Sequence, residues 1–167
     1  HVTAGRRRVE GREHQQALDW RTVKLIKDRF KTPLILKGIA TVEDARIAIE
    51  HGVEWIYVSN HGGRQLDHGL GSMEVLPGIV DAVQGRARVM VDGGFCRGTD
   101  IVKAIAQGAD LVGLGRMQCY ALAASGEAGV VRMLELLEDE MQRCLGLLGA
   151  NALGDLGRAH LHPAQPT

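Results

Sequence analysis

Four short apolar runs punctuate the chain: Leu34–Leu36, Trp55–Val58, Val89–Val91 and Leu111–Leu114. Each gives way to glycine or polar residues and then to a stretch with helical spacing. Continuous rather than alternating apolar runs suit parallel strands buried on both faces. Strands that alternate with helices predict repeated βα units. Before the first run, Trp20, Val23, Leu25, Ile26 and Phe30 recur at helical spacing, and Pro33 ends that segment. After it, Thr41-Val42-Glu43-Asp44 predicts a helix opened by a capping box, with Gly52 closing it at a C′ position. The last predicted helix spans 126–149. Its apolar face is Val130, Val131, Leu134, Leu137, Met141, Leu145 and Leu148, and Glu135, Glu138, Asp139 and Glu140 cover much of the rest.

The units also repeat one another. Asp44, Ala48, Ile49 and Gly52 recur at a constant offset as Asp100, Ala104, Ile105 and Gly108, and both copies continue through a small apolar residue and an acid into the next strand. Equivalent helix–glycine–strand modules are what a βα barrel leaves in sequence. The domain boundaries expected are a loop or arm at 1–16, carrying Arg6-Arg7-Arg8, a barrel segment at 17–156, and an irregular tail at 157–167 with Pro163 and Pro166.

Composition narrows the function. Lys plus Arg and Asp plus Glu number 20 each, a balance that argues against a nucleic-acid or anionic-membrane partner. Glycine, at 22 of 167 residues, exceeds the average of about 7% and matches many tight turns at helix and strand ends. No apolar run approaches the roughly 18 residues needed to span a bilayer. Cys96, Cys119 and Cys144 are too far apart for a zinc or redox pair, so reduced cysteines in a cytoplasmic protein are expected. The histidines show no metal-ligand spacing, and no metal is expected.

In parallel α/β folds, ligands bind at the carboxyl ends of strands. Those positions hold Lys37-Gly38, Ser59-Asn60-His61-Gly62-Gly63-Arg64, Asp92-Gly93-Gly94 and Gly115-Arg116. Gly93-Gly94 and Gly113-x-Gly115 let backbone N–H groups approach a phosphate, and Arg116 adds a bidentate donor. His61 follows a strand and precedes two glycines, and imidazole is the commonest general base in catalysis, so it is a candidate proton acceptor. Arg64 can grip a carboxylate, and Lys37 can stabilise negative charge on a bound ring. Salt bridges to neighbours such as Asp67 are the bland reading of both cations.

The block Ser59-Asn60-His61-Gly62-Gly63-Arg64-Gln65-Leu66-Asp67 resembles the signature of the FMN-dependent 2-hydroxy acid oxidases and dehydrogenases, the family of glycolate oxidase, lactate oxidase and dehydrogenase, and mandelate dehydrogenase. The likeness extends through Leu36-Lys37-Gly38, Val91-Asp92-Gly93-Gly94, Arg97-Gly98-Thr99-Asp100 and Leu114-Gly115-Arg116. It implies a (β/α)8 TIM barrel of which this α/β chain supplies strands five to eight, the C-terminal half. It also implies FMN as cofactor, a small (S)-2-hydroxy acid as substrate, and a homo-oligomer, by family habit a tetramer. His61 would be the catalytic base, also contacting substrate, and Arg64 would bind the substrate carboxylate. Lys37 would sit near the flavin pyrimidine and stabilise the anionic reduced form. Ser59 would contact the flavin, while Asp92, Gly93, Gly94, the Cys96 position, Gly115 and Arg116 would hold its ribityl chain and phosphate.

The family pattern reads Asp-Gly-Gly-x-Arg-Arg-Gly, whereas this chain has Cys96 in place of the first arginine. FMN retention is therefore expected to lean on Arg116 and backbone amides, with Arg97 as a possible substitute. The chain opens on His1, and the family's chains are longer, so the first four strands and their site residues are expected elsewhere, and this segment alone is expected to be inactive. Two other readings compete: a flavodoxin-like module that binds a phosphorylated ligand without catalysis, and another flavin barrel such as a type 2 isopentenyl diphosphate isomerase. The latter lacks the Asn-His-Gly-x-Arg-Gln block.

Overall fold

The computed structural model describes residues 18–64, 66 and 68–162. The arm at 1–16, the last residues of the tail, and Gln65 and Asp67 of the signature block lie outside the described residues. The strands β1 (Ile35–Ile39), β2 (Trp55–Val58), β3 (Arg88–Asp92) and β4 (Leu111–Gly113) are all parallel and lie in the order β1-β2-β3-β4. The helices are α1 (Trp20–Arg29), α2 (Val42–Glu50), α3 (Ser72–Val83), α4 (Gly98–Ala106) and α5 (Arg116–Leu148). Sequential parallel order with right-handed crossovers places every connecting helix on one face of the sheet. A doubly wound sheet reverses its order at a switch point. The flavodoxin-like alternative is thereby excluded, and the four βα units form an arc of a barrel.

Burial follows that geometry. Ile56, Val58, Val89 and Val91 pack against Ala45, Ala48, Leu76, Ile79, Val83 and Ala104 of the helices. On the other face, Ile35 and Leu111 are 51% and 48% exposed. Among the described residues the sheet is thus covered on one face only, which corrects the expectation of two buried faces. The strands are apolar throughout because their second face is the one a closed barrel turns inward.

The repeat proves to be a structural staple. Gly52 and Gly108 take φ of +73° and +104°, where a side chain would be strained. They let Val53 N–H reach Ala48 O at 3.1 Å and Ala109 N–H reach Ala104 O at 3.0 Å. The acid that follows each one then accepts the first free N–H of a neighbouring strand segment. Glu54 takes Leu34 N–H and Asp110 takes Val89 N–H, both at 2.8 Å. Module and sheet are locked by equivalent positions in both copies.

The C-terminal helix departs from the pattern. It starts at Arg116 and is broken at Ser125 and Gly126, so a segment before residue 126 was missed. Tyr120 and Leu122 there are 66% and 58% exposed, and no buried stripe announced a helix. Met133 and Leu137 are the buried positions, whereas Val131, Leu134 and Leu148 of the expected apolar face are exposed. Near residue 158 the chain is anchored: Arg158 donates to Asp81 of α3 at 2.7 Å and to Pro77 O at 3.2 Å.

Candidate active site

The carboxyl ends of the four strands meet at a cavity of about 460 Å³, within the range of small-molecule sites. Lys37, His61, Arg64, Asp92, Gly93, Gly94, Cys96, Gly115 and Arg116 all line it. Residues far apart in the chain are gathered because each ends a strand of one parallel sheet. Lys37 on β1 and Asp92 on β3 flank Tyr57 on β2, and Lys37 Nζ bridges to Asp92 Oδ2 at 2.6 Å and donates to Ser59 Oγ at 2.9 Å. Its ion-pair partner is therefore Asp92 of β3.

His61 is presented by a tight turn. Asn60 Oδ1 accepts Gly62 N–H at 3.0 Å, and Ser59 Oγ accepts His61 N–H at 3.2 Å. His61 takes φ 55°, a conformation uncommon for a residue with a side chain. Its ring lies over Gly38, where a Cβ would stand 3.0 Å from His61 Cε1. Ser59 is buried and sits behind Lys37 and His61 instead of on the cavity wall. It holds both groups through one hydroxyl.

Arg97 is drawn away from the cavity. Its guanidinium pairs with Glu140 of α5 at 2.7 Å, and Glu140 also accepts Gly98 N–H at 2.7 Å. It is thus no substitute for the arginine replaced by Cys96. Cys96 itself is exposed on the wall, with its N–H given to Asp100 at 3.1 Å. Phe95, Met117 and Tyr120 also line the cavity. Met117 and Tyr120 escaped notice because they lie on the unrecognised first segment of α5, while Phe95, also not singled out in the sequence, is buried.

A parallel βα arc whose strand ends converge on a cationic, glycine-rich cavity defines a barrel protein that takes an anionic ligand. Comparison makes the class specific: a family profile described as FMN-dependent dehydrogenase matches residues 2–163, and the chain belongs to that family. It is 45% identical over 146 residues to glycolate oxidase 3 of Arabidopsis thaliana, covering 87% of this chain and 40% of the relative. It is 44% identical over 151 residues to an L-lactate dehydrogenase of Stenotrophomonas maltophilia, covering 90% and 40%. A crystal structure of mandelate oxidase with benzoyl-formic acid superposes with a TM-score of 0.80 at 46% identity, covering 83% of this chain and 41% of that one. The chain thus spans about 40% of the length of these curated relatives. The four βα units are a C-terminal part of a (β/α)8 barrel, and the family's cofactor is FMN.

The residues present fit that cofactor. Among the described residues, the cavity is lined by three cations, Lys37, Arg64 and Arg116, and one carboxylate, Asp92, an excess of positive charge suited to a phosphorylated ligand. Nothing lies within 4 Å of where a Cβ would stand at Gly94 or Gly115, so the backbone there leaves room for a phosphate to approach closely. Asp92 Oδ1 is buried without a hydrogen-bond partner, a polar atom that a bound ligand can satisfy.

Proposed function

We propose that this chain carries the flavin-binding and proton-abstracting end of an enzyme that oxidises an (S)-2-hydroxy acid to the 2-oxo acid. FMN, when bound, supplies the two-electron acceptor. Lys37, Asp92, Gly93, Gly94, Gly115 and Arg116 hold it, and Arg116 with the open glycine amides takes the phosphate. Arg64 binds the substrate carboxylate and so orients the hydroxyl-bearing carbon. His61 accepts a proton that the substrate gives up on oxidation, and the Ser59–Asn60 turn keeps its ring at the cavity. The observation that carries this reading is the placement of the His61 ring over Gly38, beside Arg64 and Lys37 in one cavity.

The partner proposed for this segment is the rest of the barrel. Support comes from the half-covered sheet, with Ile35 and Leu111 exposed on its open face, and from exposed Leu25 and Phe30 on α1 and Val131 and Leu134 on α5. Turnover by the 167-residue segment alone would overturn that pairing. The test of function is anaerobic mixing of the full-length, FMN-loaded protein with lactate, glycolate and mandelate. Bleaching of the flavin by one of them is expected, and readmitted oxygen separates an oxidase from a dehydrogenase. No bleaching with any of the three refutes the assignment.

A further inference from the structure

Tyr57 has no part in the proposed function, yet its ring lies against the Lys37 ammonium of the ion pair on the cavity wall. Strand register sets it beside Lys37 on β1 and Met90 on β3, on the sheet face away from the helices. Lys37 Nζ stands 4.3 Å from its ring centroid. The phenol reaches across to β4, where a Cβ on Gly113 would collide with its hydroxyl and stand 3.3 Å from Asp92 Cβ. Burial, then the charge of Asp92 and a hydrogen bond to it, push the phenol up to about 12, so it stays a neutral donor. One rigid side chain thus sets its π face against the ammonium of the 2.6 Å pair and its hydroxyl against β4, beside the strand that carries Asp92.

We infer that Tyr57 is a positioning residue: wedged against Gly113, it fixes the Lys37–Asp92 pair and so sets where the cavity presents its positive charge. A lysine side chain is a flexible four-carbon stem that samples many rotamers. An aromatic face narrows that choice by attracting the cation, and most strongly where water is partly excluded. The consequence for FMN rests on the proposed function, whereas the hold on Lys37 does not.

The two are separated by two measurements on the full-length protein. The first strips the flavin, exposes the protein to acetic anhydride and follows Lys37 acetylation by peptide mass spectrometry, with the other lysines as internal controls. Tyr57→Leu, which removes the ring, is expected to raise the Lys37 rate by about threefold or more, while Tyr57→Phe, which keeps it, stays within about twofold. The second reads FMN binding by fluorescence titration and the midpoint potential of the bound flavin. Tyr57→Leu is expected to weaken binding by about tenfold and lower the potential, with partial rescue in Tyr57→Phe. Should the leucine variant fail to fold by circular dichroism, Tyr57→Met, which keeps the length without the ring, takes its place in both arms. Lys37 acetylation at the wild-type rate in the ring-free variant overturns the inference. If wild-type protein takes up no FMN, the flavin reading fails, and the acetylation result alone decides the role of Tyr57.

Discussion

Replacing Gly38 by alanine links one backbone angle to the chemistry. Gly38 takes φ +98°, and forcing an L-residue to positive φ costs about 1–2 kcal/mol. The new Cβ would lie 3.0 Å from His61 Cε1 and 3.7 Å from Nε2, inside the optimal carbon separation of roughly 3.5–4.0 Å, so the imidazole has to retreat by about half an ångström. It cannot retreat freely, because its own backbone is held at φ 55° and tied to Ser59 Oγ. A 1 Å misplacement of a reacting group costs roughly a hundredfold, so half of that should lower the rate of flavin reduction about tenfold. The assay is rapid anaerobic mixing of the FMN-loaded variant with a 2-hydroxy acid over a range of concentrations, alongside a thermal melt. The limiting rate should fall while the substrate dissociation constant, assigned to Arg64 in the proposed function, stays within about threefold. A variant that melts earlier but reduces its flavin at the wild-type rate would show that His61 does not depend on Gly38, and the reasoning would fail.

Cys96→Arg restores a cation on the cavity wall. A hydrogen bond to a charged group contributes about 1.5–3 kcal/mol, so FMN should bind about tenfold or more tightly; fluorescence titration showing an unchanged dissociation constant contradicts this. Glu140 is held below its ordinary value of 4.5 by Arg97 and the Gly98 N–H. A carboxylate depressed in the folded state stabilises it above the unfolded pKa, and that contribution is lost as pH falls through the lowered native value. Denaturation midpoints of the wild type should therefore drop through the acid limb below pH 4.5 more steeply than those of Glu140→Gln, and parallel limbs would refute the linkage. Gly98→Ala drives a methyl group to 2.5 Å from Leu137 O and 2.7 Å from Met141 N. Backbone atoms of α5 must move, so urea unfolding should show a loss of about 1–3 kcal/mol, and an unchanged midpoint would rule out close α4–α5 contact.

The parts of this molecule legible in the sequence are those decided locally. A Thr41 cap with its acceptor oxygen 3.1 Å from Asp44 N–H, a C′ glycine and a short apolar run each announce themselves within a few residues. The site was legible for the same reason, since each strand's carboxyl end carries its own polar signature. What escaped was decided between elements. Whether Arg97 faced the cavity depended on Glu140, more than forty residues away in the chain, and the pair stands at 2.7 Å. The buried side of α5 depended on how that helix meets Gly98, which selected Met133 and Leu137 over Val131 and Leu134. The ion pair of Lys37 with Asp92 was likewise hidden, because only the sheet register brings β1 and β3 residues 55 positions apart to one cavity wall.

The break in α5 resolves a conflict between these two layers. The helix after β4 must begin at the cavity, because Arg116, Met117 and Tyr120 line it, and must end packed on α4, because Glu140 holds Arg97 and the Gly98 N–H. A straight helix has one axis and a fixed angular phase, so the face turned to the cavity at its first turn dictates the face turned to α4 six turns later. Ser125 at φ −155°, ψ 31° and Gly126 at φ 56°, ψ −141° reset both direction and phase. The first segment is then free to follow the cavity, with Tyr120 and Leu122 left exposed, while the second takes its orientation from α4. Gly126 supplies a conformation that a side chain would oppose. The cationic end of the site is thereby built on a helix whose packing is decided elsewhere, so a change at the α4–α5 contact should alter stability while leaving the placement of Arg116 intact.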